Sequence, residues 1–186
     1  NIQKALFAVV NIASLLRGRL KDCANNSYKD SIYLKNNKYT EKVVFNMSFP
    51  VALQLFSVRD HMSADFEATL RKVKELGFQG VEFAGLFGHD AETVKKLLEE
   101  IGLEAVSAHI SIDEFLANPE SVIDTYVKIG CKYAAIPYLV QERRPGEAKW
   151  EQTVEEIKKI AVMAKAKGLQ LMYHNHDFEF VKINGK

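Results

Sequence analysis

The chain has 186 residues, 47% hydrophobic and 26% charged, which is the composition of a folded globular protein long enough for one ordinary domain. Its formal net charge of +1 provides no bulk attraction to nucleic acid or to a membrane, and no run reaches the ~18 consecutive apolar residues of a spanning helix. Two cysteines, Cys23 and Cys131, make neither a disulfide framework nor a cysteine zinc site, so a reducing, cytoplasmic setting is the simpler inference.

The average charge hides two kinds of sequence. Residues 1–46 carry eight Lys/Arg against three Asp/Glu, a net +5, whereas residues 47–186 carry seventeen against twenty-one, a net −4. The basic leader holds one apolar patch from Ala5 to Leu16, then Arg17 and Arg19, then Asn25-Asn26-Ser27 and Asn36-Asn37, which read as loops. A secretory signal has its positive charge before the apolar run and small residues at a cleavage site after it; here Lys4 precedes but arginines follow, and a signal peptide is not expected. Met47 stands directly before the first well-patterned strand. The expectation is that Met47 is the natural start and that residues 1–46 lie outside the fold; a short amphipathic helix packing on a partner is the rival reading.

From Met47 onward, short apolar runs alternate with amphipathic helices. Val51 to Val58 reads as the first strand, and Ser63 as the N-cap of a helix whose Phe66, Leu70 and Val73 recur at helical spacing before Gly77 ends it. Gly80 to Ala84 is the second strand. Asp90 opens a helix with Val94, Leu97, Leu98 and Ile101, closed by Gly102, and Leu103 to Ile110 is the third strand. Asn118-Pro119 starts a helix with Val122, Tyr126 and Ile129 on one face, ended by Gly130; Lys132 to Pro137 is the fourth strand. The polar loop from Gln141 to Gly146 leads into a long helix with Val154, Ile157, Ile160, Ala161 and Ala164, stopped by Gly168, and an apolar strand starting at Leu169 follows.

Helical crossovers of this length join parallel strands. About five parallel strands and four helices therefore give an α/β chain with the rhythm of a (β/α)8 barrel, a fold that takes roughly 250 residues, so the reading is a partial TIM barrel whose C-terminal units are missing. An open doubly wound sheet is the alternative, but no glycine-rich phosphate loop follows the first strand.

In such a barrel chemistry collects at the C-terminal ends of the strands. The first strand offers Gln54, Ser57, Arg59 and Asp60 there, the second Glu82, the third His109, the fourth Pro137 and Tyr138, and the fifth His174, Asn175 and His176. Glu82 is the least ordinary, because a carboxylate between Val81 and Phe83 on a buried strand is costly unless paired or bound to a cation. Strand alternation puts His174 and His176 on one face with Gln170 and Met172, a placement that suits metal binding or proton transfer. Polar residues satisfied by water at a strand's end are the plain alternative for the histidines. His61 and His89 read as solvated loop residues.

Three segments, Gln54-Leu55-Phe56-Ser57-Val58-Arg59-Asp60, Gly80-Val81-Glu82-Phe83-Ala84-Gly85 and above all Tyr173-His174-Asn175-His176-Asp177-Phe178-Glu179-Phe180, resemble the sugar phosphate isomerase/epimerase family, built on the xylose isomerase-like TIM barrel. The resemblance spans Met47 to Lys186 and none of the leader. It implies a metal-dependent isomerase or epimerase that acts on a sugar or sugar phosphate through an enediolate-type intermediate. It also implies one divalent ion (Mn, Co, Zn or Mg) at the barrel mouth, held from the fifth to eighth strands. On this chain the first ligand falls at His174, with His176 beside the ion or as a weaker ligand. Glu82 and His109 stand where relatives meet substrate hydroxyls and are taken as the catalytic pair, with Gln54, His109 and His176 as substrate-binding residues.

One departure matters. Many relatives have Glu at the position of His174, so the two-glutamate proton exchange of the family's epimerases does not carry over, and a keto-sugar dehydratase or lyase on the same site becomes the alternative. The remaining ligands would come from strands six to eight, so the metal site is incomplete in this chain and the fragment alone is expected to be inactive. Two further readings stand beside it. A zinc-dependent apurinic endonuclease shares the barrel but calls for a basic groove, which the net −4 opposes, and a non-catalytic barrel is the other. The expected partner is a small-molecule sugar, with no nucleic acid and no membrane; the oligomeric state is left open.

Overall fold

The computed structural model of the chain describes residues 8–10 and 50–182. It contains strands β1 (Ala8–Val10), β2 (Val51–Gln54), β3 (Gly80–Phe83), β4 (Glu104–His109), β5 (Tyr133–Ile136) and β6 (Gln170–Tyr173). The helices are α1 (Arg59–Ala64), α2 (Phe66–Glu75), α3 (Ala91–Ile101), α4 (Ile112–Ala117), α5 (Pro119–Ile129) and α6 (Trp150–Ala166). All six strands are parallel, and their order in the sheet is their order in the chain, the winding of a (β/α)8 barrel.

Alternation along the strands sorts the side chains into two layers. Leu53, Val81, Phe83, Ala108, Ala134 and Ile136 belong to the core that the helices cover with Phe66, Leu70, Leu98, Ile123, Ile160 and Ala164. Their neighbours Gln54, Glu82, Ser107 and His109 take the opposite face of the sheet. The register pairs Gln54 with Glu82 and Glu82 with Ser107, after a shift between Val81 and Glu82 that advances β3 against β4. That irregularity passes over Val106 and brings the carboxylate opposite a hydroxyl rather than a valine.

The helix boundaries follow from local chemistry. Asp90 caps α3, accepting from the backbone N–H of Glu92 and Thr93 at 2.9 and 3.0 Å and from the Thr93 hydroxyl at 2.7 Å. Asn118 caps α5 through the Ser121 N–H at 3.3 Å, with Pro119 in the first helical position where no N–H is needed. Gly102 and Gly130, at φ 75° and 110°, end α3 and α5 in the left-handed conformation that lets the chain turn back into β4 and β5.

Several boundaries differ from the sequence reading. The first strand stops at Gln54 and continues as a 3-10 turn, Leu55–Val58; Leu55 is buried and Val58 packs on the core, so the apolar run served a turn as well as a strand. Ser63 is inside α1 and does not cap α2; Asp65, in extended conformation, does so through the Ala68 N–H at 2.9 Å. The short helices α1 and α4 were not anticipated, although Ser111 caps α4 through the Glu114 N–H at 3.1 Å. Ile123, rather than Val122, is the fully buried residue of the α5 face. His61 lies on α1 rather than in a loop, and His89 stacks on Phe66 at 4.3 Å between centroids.

The leader was expected to stand outside the fold, yet Ala8–Val10 pairs in parallel with Val51–Leu53 and extends the sheet by one short strand. The rest of residues 1–46, with Cys23, and Met47 itself lie outside the described residues. Among those described, no helix is long and apolar enough to cross a membrane.

The caps yield a measurable expectation. Replacing Asp90 by Ala leaves two first-turn N–H groups of α3 without their acceptor and should lower the midpoint of a urea melt. An unchanged midpoint would show that the cap contributes nothing.

Candidate active site

At the C-terminal ends of the strands four polar side chains from three strands form one hydrogen-bonded chain. Gln54, ending β2, places its Nε2 3.2 Å from His109 Nδ1, and His109 Nε2 is 3.0 Å from Glu82 Oε1. Ser107 donates its hydroxyl to the other carboxylate oxygen, Glu82 Oε2. Gln54 and Glu82 are only 4% and 6% exposed, so each depends on its partners to replace water. With the Gln54 amide donating to Nδ1, His109 is the tautomer that carries its proton on Nε2, donated to Glu82.

His174 extends this chain across β5. β6 ends at Tyr173, so both histidines of the pair follow the strand rather than lie in it, but the His174 N–H still bonds to Ile136 O at 3.0 Å and keeps the strand's direction. Its ring meets His109 edge-on at 5.1 Å between centroids and lies 5.0 Å from the His176 ring. Glu82, His109 and His174 therefore converge on one face, as alternation required.

A second group holds His176. Its ring stacks on Phe178 at 5.4 Å and meets Tyr138 edge-on at 5.5 Å. Glu179 fastens the turn from both sides, accepting the His176 N–H at 2.6 Å on one oxygen and the Tyr173 hydroxyl on the other. Sequence reasoning missed Ser107 and Glu179 as parts of the site. Ser107 was findable, since it precedes His109 by two residues and shares its face; Glu179 acts through a turn whose geometry the sequence does not disclose.

Electrostatics divide the roles. Burial pushes the Glu82 carboxyl up, but hydrogen bonds from His109 and Ser107, with the electrostatic influence of the nearby His109 and His174 rings, outweigh it and hold the group below its ordinary value. His174 is moved down by burial first and then by the neighbouring His109 and His176, against the opposing pull of Glu82 and Glu179. A lowered imidazole is neutral at neutral pH and keeps a lone pair.

Two buried side-chain polar atoms among the described residues have no hydrogen-bond partner, and both belong here: Gln54 Oε1 and His176 Nδ1. Each costs about 1–3 kcal/mol left alone, which a ligand group would recover. For a metal ion the donor set fits in part. His174 and His176 bring two imidazoles side by side, the second with its Nδ1 unsatisfied, and nitrogen donors suit transition metals. No group of three or more His, Cys, Asp or Glu side chains that could hold an ion occurs among the described residues, so these two are a partial shell. Glu82 is engaged elsewhere and is not one of its ligands.

A parallel sheet wound in chain order, with its polar residues gathered at the C-terminal strand ends, defines a barrel of the (β/α)8 class. A family model for the xylose isomerase-like TIM barrel matches residues 70–185, and the chain belongs to that family. Among curated relatives, the inosose dehydratase of Geobacillus kaustophilus is 26% identical over 139 residues, 63% of this chain and 44% of that protein. The inosose dehydratase of Clostridium perfringens is 24% identical over 131 residues, 60% of this chain and 44% of that protein. The chain thus spans less than half the length of these relatives. A solved sugar phosphate isomerase/epimerase from Parabacteroides distasonis shares the fold with a TM-score of 0.60 at 18% identity, over 81% of this chain and 58% of that one. A xylose isomerase domain containing protein from Salmonella typhimurium does so with a TM-score of 0.52 at 20% identity, over 66% and 47%.

The lowered carboxyl gives the sign of a pH effect. A carboxylate whose folded value lies below its ordinary 4.5 adds stability above that pH and loses it as the pH falls through the folded value. Glu82→Gln should therefore destabilise by about 1–3 kcal/mol at neutral pH, and the gap to the unsubstituted protein should close as urea melts are taken below pH 4.5. A gap independent of pH would mean that the charge on Glu82 does not matter.

Proposed function

We propose that the complete polypeptide is a metal-dependent enzyme that removes the proton next to the carbonyl of a polyhydroxylated ketone or aldehyde. Sugar isomerisation and epimerisation through an enediolate begin with that step, and so does dehydration of a keto-sugar. The observation that carries this reading is the pair of unsatisfied buried atoms, Gln54 Oε1 and His176 Nδ1, on either side of His109 and a neutral His174.

Each residue has a task that its contacts permit. Glu82 has both oxygens occupied and so is a poor proton acceptor; it fixes the His109 tautomer and orientation. Gln54, its NH2 engaged by His109, turns an acceptor oxygen to a substrate hydroxyl. His174 offers its lone pair as a ligand or as a base, and His176 stands beside it as a second donor. The chemistry a divalent ion supplies there when bound is polarisation of the substrate carbonyl.

Dehydration is the second reading, favoured by the curated relatives, both inosose dehydratases, and by an imidazole at the position where two-glutamate exchange needs a carboxylate. In this version the C–H proton passes to the base, its electron pair forms the carbon–carbon double bond, and the β-hydroxyl leaves with a proton as water.

Incubated in D2O with keto-sugars and keto-polyols, the complete polypeptide should place deuterium at the carbon next to the carbonyl, read by NMR. His174→Ala should slow that exchange by about 10²–10⁴-fold and lower the bound transition metal, with His176→Ala milder. A product lighter by one water selects dehydration, and an isomer selects isomerisation. Undiminished exchange and metal content in His174→Ala would overturn the reading.

A further inference from the structure

Arg144 has an unusual environment for a guanidinium. It sits in the loop after β5, at the same end of the sheet as the site, with its Cζ 3.7 Å from the centre of the Phe178 ring and 5.0 Å from that of Tyr138. Its Nε donates to Leu139 O at 2.9 Å and its Nη2 donates to the Tyr138 hydroxyl. Arginine carries five N–H donors, so these two bonds leave three unused, on Nη1 and Nη2.

What it lacks is a carboxylate. Arg143, one residue earlier, pairs with Glu156 at 2.6 Å and Asp113 at 3.7 Å, and Arg71 pairs with Glu67 and Glu100. Among the described residues no Asp or Glu lies within ion-pair distance of Arg144. The nearby Glu179 has both oxygens committed, to Tyr173 and to the His176 backbone. Arg59 also has no carboxylate partner, but it covers Phe56, whose side chain is 54% exposed, and is not tied to the histidines. Arg144 is tied to them directly. Phe178 and Tyr138, which it covers, are the two rings that enclose His176, and His176 adjoins His174.

We propose that Arg144 receives an anionic group of the substrate, a phosphate ester or a carboxylate, so that the compound turned over at the site is an anionic sugar derivative rather than a neutral polyol. The inference rests on the functional reading above and adds the charge of the substrate to it. The stacked aromatics and the bond to Leu139 O hold the guanidinium plane still, and its remaining donors form the fork that matches two oxygens of one oxyanion. The wall from His174 through His176 to Tyr138 advances in ring-to-ring steps of 5.0 and 5.5 Å, and the Arg144 Cζ lies a further 5.0 Å from the Tyr138 ring centre, a path along which a short sugar chain would lie with its carbonyl at one end and its charge at the other.

The test is binding, without turnover. Methyl phosphate and acetate, each at constant ionic strength, are titrated into the complete polypeptide while the Arg144 Nε–H resonance is followed by NMR and the affinity is read by calorimetry. The expected result is a saturable shift of that resonance, with Arg144→Met weakening binding at least tenfold and Arg71→Met, on an outer helix, leaving it within twofold. A response to methyl phosphate alone assigns a phosphate ester, and a response to acetate alone a carboxylate. No shift with either anion in the unsubstituted protein, or equal affinity in Arg144→Met, overturns the proposal. Should Arg144→Met fail to fold, the Nε–H shift of the unsubstituted protein still decides. Anion binding that persists in a protein inactive on every carbonyl compound would sink the functional reading and leave the anion site standing; activity on neutral sugars without anion binding would do the reverse.

Discussion

The carboxylate of Glu82 is the constraint on which the rest of the site depends. An ionised group on a strand of a parallel sheet, flanked by Val81 and Phe83 in the core, is tolerable only if both oxygens are matched, and they are matched by His109 and Ser107 from the next strand. The pairing requires β4 to hold one register, and the shift between Val81 and Glu82 supplies it. His109, once held by Glu82, is presented on its other side to Gln54, and its ring edge gives His174 something to meet. Removing the charge would thus loosen four strands' worth of placement rather than one contact.

Beyond this buried chain the site changes character. His176 is held by rings and by backbone, through Phe178, Tyr138 and Glu179, in a loop that no sheet hydrogen bond supports after His174. The inner half is stiff because it is buried and paired; the outer half is stacked, and stacked aromatic walls accept variation in what they enclose. Under the proposed function, the chemistry would sit with the first and substrate preference with the second.

Much of the fold was legible in the sequence because it rests on periodicity. The strand positions of Glu82 and His109, the glycine stops at Gly102 and Gly130 and the caps at Asp90 and Asn118 are local signals with local causes. The errors fell where one signal served two structures. The run from Val51 to Val58 is apolar both as strand and as buried 3-10 turn, and Ser63 and Asp65 are both capping residues two positions apart. For the site, alternation was enough to bring Glu82, His109 and His174 to one face. It said nothing of how a carboxylate there would be neutralised, and so Glu82 was visible as an anomaly while Ser107, though on the same face, was not marked as its partner. Contacts that arise in loops, such as those of Arg144 and Glu179, depend on turns that no repeat encodes.

The sheet is wound so that neighbours in space are neighbours along the chain. From β2 onward each new strand closes only the loop through the helix before it, which keeps the entropy of each such step small and favours an order of assembly that follows the order of synthesis. Gln54, Glu82 and His109 are complete as a unit once β4 has docked, before either His174 or His176 has been translated. A growing polypeptide would then carry its polar centre already buried, and every later strand would dock against an interior whose charges are settled.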